Sequence, residues 1–233
     1  DMSLAEFTKA LGQLPLQYDP GSQWHYSVSV DVQGRLVEVL SGMSFGEFLK
    51  QRIFDPLDMR DTDFQVNEGN KDRLAQMYKP QGVDANNFFS PATGSGLEVA
   101  DAFASARVIY GGKFESGGGG LVSTARDYLR FSQMMLNGGE LDGVRILSPK
   151  TIELMTTNHL GELPMGFGRS GVGFGLGFGV VLNPGEVGEV SSAGEYNWGG
   201  AAGTRFWIDP QEELIGLFTV SYTHLTLPTK VRV

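Results

Sequence analysis

AGTRFWIDPQEELIGLFTV (residues 202–220) decides the fold class. The runs AGTRFWID and ELIGLFTV are rich in aromatic and β-branched residues. They flank a turn, Asp209-Pro210-Gln211-Glu212, and read as an antiparallel hairpin. Just upstream, GVGFGLGFGVVL (171–182) alternates glycine with Phe174, Leu176, Phe178 and Val180. That period of two predicts a strand with one smooth glycine face, and Asn183-Pro184-Gly185 then turns. The last third of the chain is therefore expected to form antiparallel strands.

Before residue 160 the period is helical. Ser3 and Glu6 fit a capping box ahead of a face made of Leu4, Phe7, Leu11 and Leu14, with Pro15 as the stop. YDPGSQW turns, and a helix is expected from about Tyr26 to Leu40, with Val28, Val32, Leu36 and Val39 or Leu40 on one side. The alternation VSVDV leaves a strand open as the other reading there. Ser44 and Glu47 form a second capping box before SFGEFLKQRIF. Residues 61–100 are loop-rich, and a helix is expected near 98–110. Thr124 and Asp127 resemble another capping box, Tyr128, Phe131, Met134 and Met135 supply an inner face, and Gly138 ends the helix. Ser148 and Pro149 open one more. Helices first and strands last predict an α+β architecture rather than a doubly wound sheet.

Composition bounds the function. With 233 residues and 41% hydrophobic side chains, a folded core is affordable, and 33 glycines point to tight turns and close backbone approaches. A net charge of −9 argues against nucleic acid as a partner. The absence of cysteine excludes disulfides, a thiolate nucleophile and a Cys zinc site. No apolar run reaches the roughly 18 residues that a membrane-spanning helix needs. The first residues carry no signal-peptide pattern and read as a helix already under way, as if the chain were cut from something longer. The stretch 221–233, SYTHLTLPTKVRV, reads as a non-native tail.

Three motif matches lead nowhere. Gly42-Met43-Ser44-Phe45-Gly46 fits the G-x-S-x-G nucleophile elbow of α/β-hydrolases, which requires a preceding strand and a downstream acid and histidine. Ser44 as a helix cap explains the same residues. Gly166-Phe167-Gly168-Arg169-Ser170-Gly171 fits G-x-G-x-x-G but precedes a strand instead of a helix. The three histidines, His25, His159 and His224, are too scattered to form a metal set. Tyr26 and the small-residue run Asn197 to Thr204 remain. By themselves these read as a core aromatic and a tight turn, although backbone N–H groups in such a run are free to face a ligand.

Four blocks in this order, PGSQWHYS (20–27), SGMSFGEFLKQRIFDPLDMRDTDF (41–64), the run from Gly117 to Met155, and WGGAAGTRFWIDPQEELIG (198–216), resemble the serine β-lactamase-related family of class C β-lactamases, penicillin-binding D-Ala peptidases and family VIII-type esterases. The resemblance covers roughly 1–220. It implies an α/β sandwich of the β-lactamase/DD-peptidase type, an antiparallel sheet flanked by helices plus a helical subdomain. Here the domain would be partial, helical over about 1–160 and sheet over about 165–220. In that family an S-x-x-K serine is the nucleophile, a Y-x-N tyrosine helps take its proton, and a K-T-G-like motif on an edge strand completes the oxyanion hole. Carried over, Tyr26 is the proton relay, Trp198, Gly199 and Gly200 line the substrate site, and the Ala201 N–H is the oxyanion donor. No cofactor or metal is implied, and the substrate would be a small ester or amide.

Three departures shape the expectation. Val28 stands where many members have Asn. Trp198 stands where β-lactamases have Lys, so a substrate carboxylate would lose its point charge, which favours neutral, moderately apolar esters. No serine has a lysine three residues later. A free tyrosine ionises near pH 10 and is a poor base at neutrality; the family's lysine helps to make it one. The chain is thus expected to be a fragment of a serine hydrolase, from an esterase or β-lactamase-like parent, and inactive as it stands. A non-catalytic ligand-binding member and an α/β-hydrolase using Ser44 are the alternatives. The 202–220 hairpin is expected to leave a strand edge exposed.

Overall fold

The computed structural model describes residues 2–82, 93–94, 96–100, 111–200 and 202–219. Ala201, the 221–233 tail and residues 101–110 of the expected 98–110 helix lie outside the described residues.

The first helix, α1 (Leu4–Leu11), starts as its capping box dictates: the Glu6 N–H donates to Ser3 Oγ at 3.2 Å and the Ser3 N–H to Glu6 Oε2 at 2.8 Å. It ends at Gly12, before Pro15, so Leu4 is buried while Leu14 stays outside, 65% exposed. Helix α2 (Ser29–Ser41) begins three residues later than expected. It also turns the other way. Val32, Leu36, Val39 and Leu40, the expected inner face, are exposed, and Asp31 and Gly34 are buried. The reason is Gly34: a Cβ there would lie 3.1 Å from the Phe45 ring and 3.3 Å from Leu4. The side without a side chain is the one that lets α1 and α3 (Phe45–Leu49) come close. Ser44 caps α3, and a π-turn (Lys50–Phe54) continues it.

A 3₁₀ turn (Glu68–Arg73) and a small hairpin of β1 (Tyr78–Pro80) with β2 (Leu97–Val99) follow. Leu97–Val99 is a strand, so the expected helix does not begin at 98. Helix α4 (Ala125–Leu136) shows only half of its expected capping box. The Asp127 N–H donates to Thr124 Oγ1 at 3.2 Å, but the Asp127 carboxylate turns instead to the Asp61 N–H at 2.7 Å and Thr62 Oγ1 at 3.0 Å. Asp127 is buried, and these bonds satisfy it. A tight hairpin, β3 (Glu140–Leu141) and β4 (Val144–Arg145), turns at Asp142-Gly143, both at positive φ. Helix α5 (Pro149–Met155) is capped by Ser148.

Among the described residues the sheet has five antiparallel strands in chain order, β5 (Val172–Phe174), β6 (Gly179–Val181), β7 (Tyr196–Gly199), β8 (Arg205–Asp209) and β9 (Leu214–Phe218). The expected single glycine-alternating strand is two strands. Gly177, at φ 105°, reverses the chain, and Phe174 pairs with Gly179. Asn183 caps a short helix, α6 (Pro184–Val187), where a turn was expected. The β8–β9 hairpin forms as read from sequence, with Ile208 opposite Ile215, and β9 is an edge strand. The core gathers Leu57, Met134, Met135, Ile152, Tyr196 and Ile208 between the helices and this sheet. Each such side chain contributes about 1.5–3 kcal/mol on burial. Burial raises the Tyr128 and Tyr196 phenols above the usual tyrosine range, so both remain neutral packing residues. No helix among the described residues is long and apolar enough to cross a membrane.

Two expected outcomes follow from this packing. Asp127→Ala strips the acceptor from Asp61 and Thr62, and urea denaturation should show a loss of about 3 kcal/mol. Glu195 is buried. Desolvation first, then the Asp209 and Glu189 charges, holds its carboxyl above the usual value of 4.5, and the Asn197 side-chain N–H, 3.1 Å away, offsets part of this. A raised folded-state pKa gives stability that is full below 4.5 and lost as the pH rises through the folded value. Glu195→Gln keeps the acceptor for Asn197 and removes the charge. It should raise Tm near pH 7 and leave it unchanged near pH 4, as read by calorimetry.

Candidate active site

The segment Trp24-His25-Tyr26 leaves the Asp19–Ser22 turn extended and enters α2 at Val28. Val28 occupies the helix N-cap and makes no side-chain cap bond, because an apolar side chain has no acceptor for the first N–H groups. Across from it, β7 carries Trp198. The strand lies in the middle of the sheet, not at its edge as the resemblance implied. Its pairing with β6 stops at Asn197, however, so Trp198 and Gly199 have a neighbour only on the β8 side. β7 ends at Gly199; beyond it the Gly200 N–H donates to Thr204 O at 2.8 Å and Gly203 sits at φ 85°. A Cβ on Gly200 would lie 2.4 Å from Thr204 Oγ1, so a side chain there would displace the threonine hydroxyl.

Tyr26 and Trp198 meet. Their ring centroids are 5.8 Å apart at 35°, and both line a cleft of about 790 Å³. Three further rings complete one wall. Trp24 stacks near Tyr26 at 6.1 Å, Phe174 of β5 meets Trp198 edge-on at 5.3 Å, and Phe167 lies 5.5 Å from both Trp24 and Tyr26. Gly166 admits Trp24, whose ring would lie 2.7 Å from any Cβ there. Phe167 is held at φ 67°, a conformation a bulky residue seldom takes, and this aims its ring at the cluster. Tyr26 is 47% exposed, and its hydroxyl makes no hydrogen bond among the described residues. It is therefore open to a ligand.

The lining also takes in Ser116 to Gly120, a stretch nearly without side chains, with Phe64, Phe114 and Leu176. Among the described residues lining the cleft there is no lysine or arginine, and Asp31 is the only carboxylate. A carboxylate-bearing ligand would meet no countercharge, whereas an uncharged apolar one would find aromatic surface.

Of the residues singled out in the sequence, Tyr26, Trp198, Gly199 and Gly200 fall at or beside this cleft. Ala201 lies outside the described residues. Trp24, Phe174, Asp31 and the 116–120 loop were missed. The loop carried a signal, four consecutive glycines, and Asp31 carried another, a charge within a largely apolar helix. Ser44 is committed elsewhere. It caps α3, exchanging bonds with Glu47 at 3.1 and 3.2 Å, and the element before it is α2, so the elbow's strand is missing. His25 packs near Tyr18, and His159 bonds the Leu154 carbonyl through Nε2 at 2.8 Å. His224 lies outside the described residues. The G-x-G-x-x-G stretch is a turn leading into β5.

The chain is 31% identical over 215 residues to esterase EstB of Burkholderia gladioli, covering 90% of this chain and 52% of that protein. It is 31% identical over 225 residues to the lovastatin esterase of Penicillium rubens, covering 87% of this chain and 51% of that protein. Among solved structures, EstCE1, described as a hydrolase with promiscuous acyltransferase activity, superposes with a TM-score of 0.74 at 25% identity over 93% of this chain and 56% of its own. The chain spans about half the length of the curated relatives it matches. The family model described as Beta-lactamase matches residues 1–231, and the chain belongs to that family.

Proposed function

We propose that this chain is part of a serine hydrolase that forms an acyl-enzyme on neutral, apolar carboxylic esters. The observation that carries the proposal is the meeting of Tyr26 and Trp198 in one aromatic cleft, with no lysine or arginine among the described lining residues. In this reading Tyr26 acts as a phenolate beside a lysine from outside the chain and takes the proton of a serine hydroxyl, also from outside, as that oxygen attacks the ester carbonyl. The Ala201 N–H and the serine's own N–H hold the oxyanion, the Tyr26 hydroxyl protonates the departing alkoxide so that the alcohol leaves, and water then attacks the acyl-serine, giving Tyr26 a proton that returns to the serine oxygen as the acid is released. Trp198, Gly199 and Gly200 line the path of the substrate. The esterase names of EstB and the lovastatin esterase support an ester over a β-lactam. So does Trp198, which cannot pair with the carboxylate of a penicillin.

No serine of the chain stands three residues before a lysine, and among the described residues Ser44 is tied up as a cap. We therefore take the chain on its own to be inactive. The exposed apolar stripe of α2, from Val32 to Leu40, supports the same view, since it offers a ready surface for the rest of a complete hydrolase.

In a complete protein containing this region, a short-chain nitrophenyl ester should turn over and a chromogenic cephalosporin should not. Tyr26→Phe should lower kcat at least about 100-fold with little change in KM. Fast cephalosporin hydrolysis with no ester hydrolysis would reject the esterase reading. The 233-residue chain itself should take no label from a fluorophosphonate probe, and labelling of any serine in it would overturn the claim of inactivity.

A further inference from the structure

We propose that Asp31 is a positioning residue for the cleft: through Ser116 and Gly118 it fixes the side-chain-poor stretch 116–120 of the lining, and so selects a flat, uncharged ligand. The inference rests on the cleft being the substrate site.

Asp31 is 6% exposed, in the first turn of α2 and five residues after Tyr26. A buried carboxylate is costly unless it is hydrogen-bonded. Its partners are not on its own helix. Ser116 Oγ donates to Oδ1 at 2.6 Å, and the Gly118 N–H reaches the same oxygen at 3.3 Å. Both donors belong to one tight turn, closed by the Gly120 N–H on Ser116 O at 2.9 Å. The loop lies so close to α2 that a Cβ on Gly117 would stand 2.6 Å from the Val30 carbonyl oxygen. Only glycine allows that approach. One residue earlier, Glu115 accepts the Gly46 N–H at 2.7 Å and moors the loop to α3. Asp31 is therefore the link between the element that follows Tyr26 and the 116–120 stretch of the lining.

The chemistry of the slot follows from these parts. The cleft is lined by the rings of Trp24, Tyr26, Phe174 and Trp198 and by the side-chain-poor stretch Ser116 to Gly120. A flat apolar group finds ring and peptide surface there, and an anionic one would approach Asp31 with no lysine or arginine among the described lining residues.

The test uses the 233-residue chain and valerophenone, a neutral aryl alkyl ketone that mimics an ester without being hydrolysed. Binding is read by quenching of tryptophan emission, and loop order by hydrogen exchange. Asp31→Ala should weaken binding about tenfold and Ser116→Ala by no more than that, and the double variant should be no worse than Asp31→Ala alone, because the Ser116 bond is already lost with the carboxylate. Asp31→Asn keeps an acceptor oxygen and should restore affinity to within about twofold of the unaltered chain. In Asp31→Ala the amides of 116–120 should exchange faster, while those of α2 and β7 stay protected. Unchanged affinity and exchange in Asp31→Ala would overturn the proposal. So would faster exchange spread over α2 and β7, which would make Asp31 a general stabiliser. If the unaltered chain binds no ketone but Asp31→Ala still frees the loop, the substrate-site reading falls and the latch stands.

Discussion

The aromatic cluster around Trp24 is the contact on which the site depends. Trp24 and Tyr26 precede the first long helix, Phe174 and Trp198 belong to the sheet, and the two pairs are about 150 residues apart in sequence. Offset and edge-on ring pairs of this kind contribute about 0.5–1.5 kcal/mol each beyond their buried area. Several of them acting together hold the N-terminal segment against the sheet. The cleft is lined by these rings and by the glycine loop 116–120.

Around that cluster, glycine does more than make turns. At Gly34 it turns α2 over, so that the helix packs by its bare side and shows its leucines to solvent. At Gly117 it lets a loop lie on a helix terminus, and at Gly166 it makes room for an indole. Part of the glycine-rich composition thus serves close approach between elements, and Gly117, Gly120 and Gly175 do so in the lining of the cleft. Buried carboxylates do the complementary work. Asp127 ties the 61–62 loop to α4, and Asp31 ties the 116–120 loop to α2.

Local signals in the sequence were read correctly where the partner was also local. The Ser3–Glu6 and Ser44–Glu47 boxes span three residues each, and the side chain and backbone that bond are neighbours in the chain. The β8–β9 hairpin is fixed by its own turn. The Asp142-Gly143 turn was equally legible and was passed over. Errors came where a distant element decides. Thr124 and Asp127 have the spacing of a box, yet the carboxylate is drawn off by Asp61 and Thr62. The glycine alternation of 171–182 looks like one strand, and only pairing across the sheet shows where it folds back.

The sequence by itself determined the α+β order of elements, the Ser3, Ser44 and Ser148 caps, and the resemblance to the family. These depend on residue type and short spacing, which a chain carries whether folded or not. Only the tertiary structure decided that Tyr26 faces Trp198, that α2 turns its apolar stripe outward, and that Asp31 holds the 116–120 loop. Each of these is a contact between segments far apart in the chain, and side-chain volume and buried hydrogen bonding select it only when the whole core is assembled.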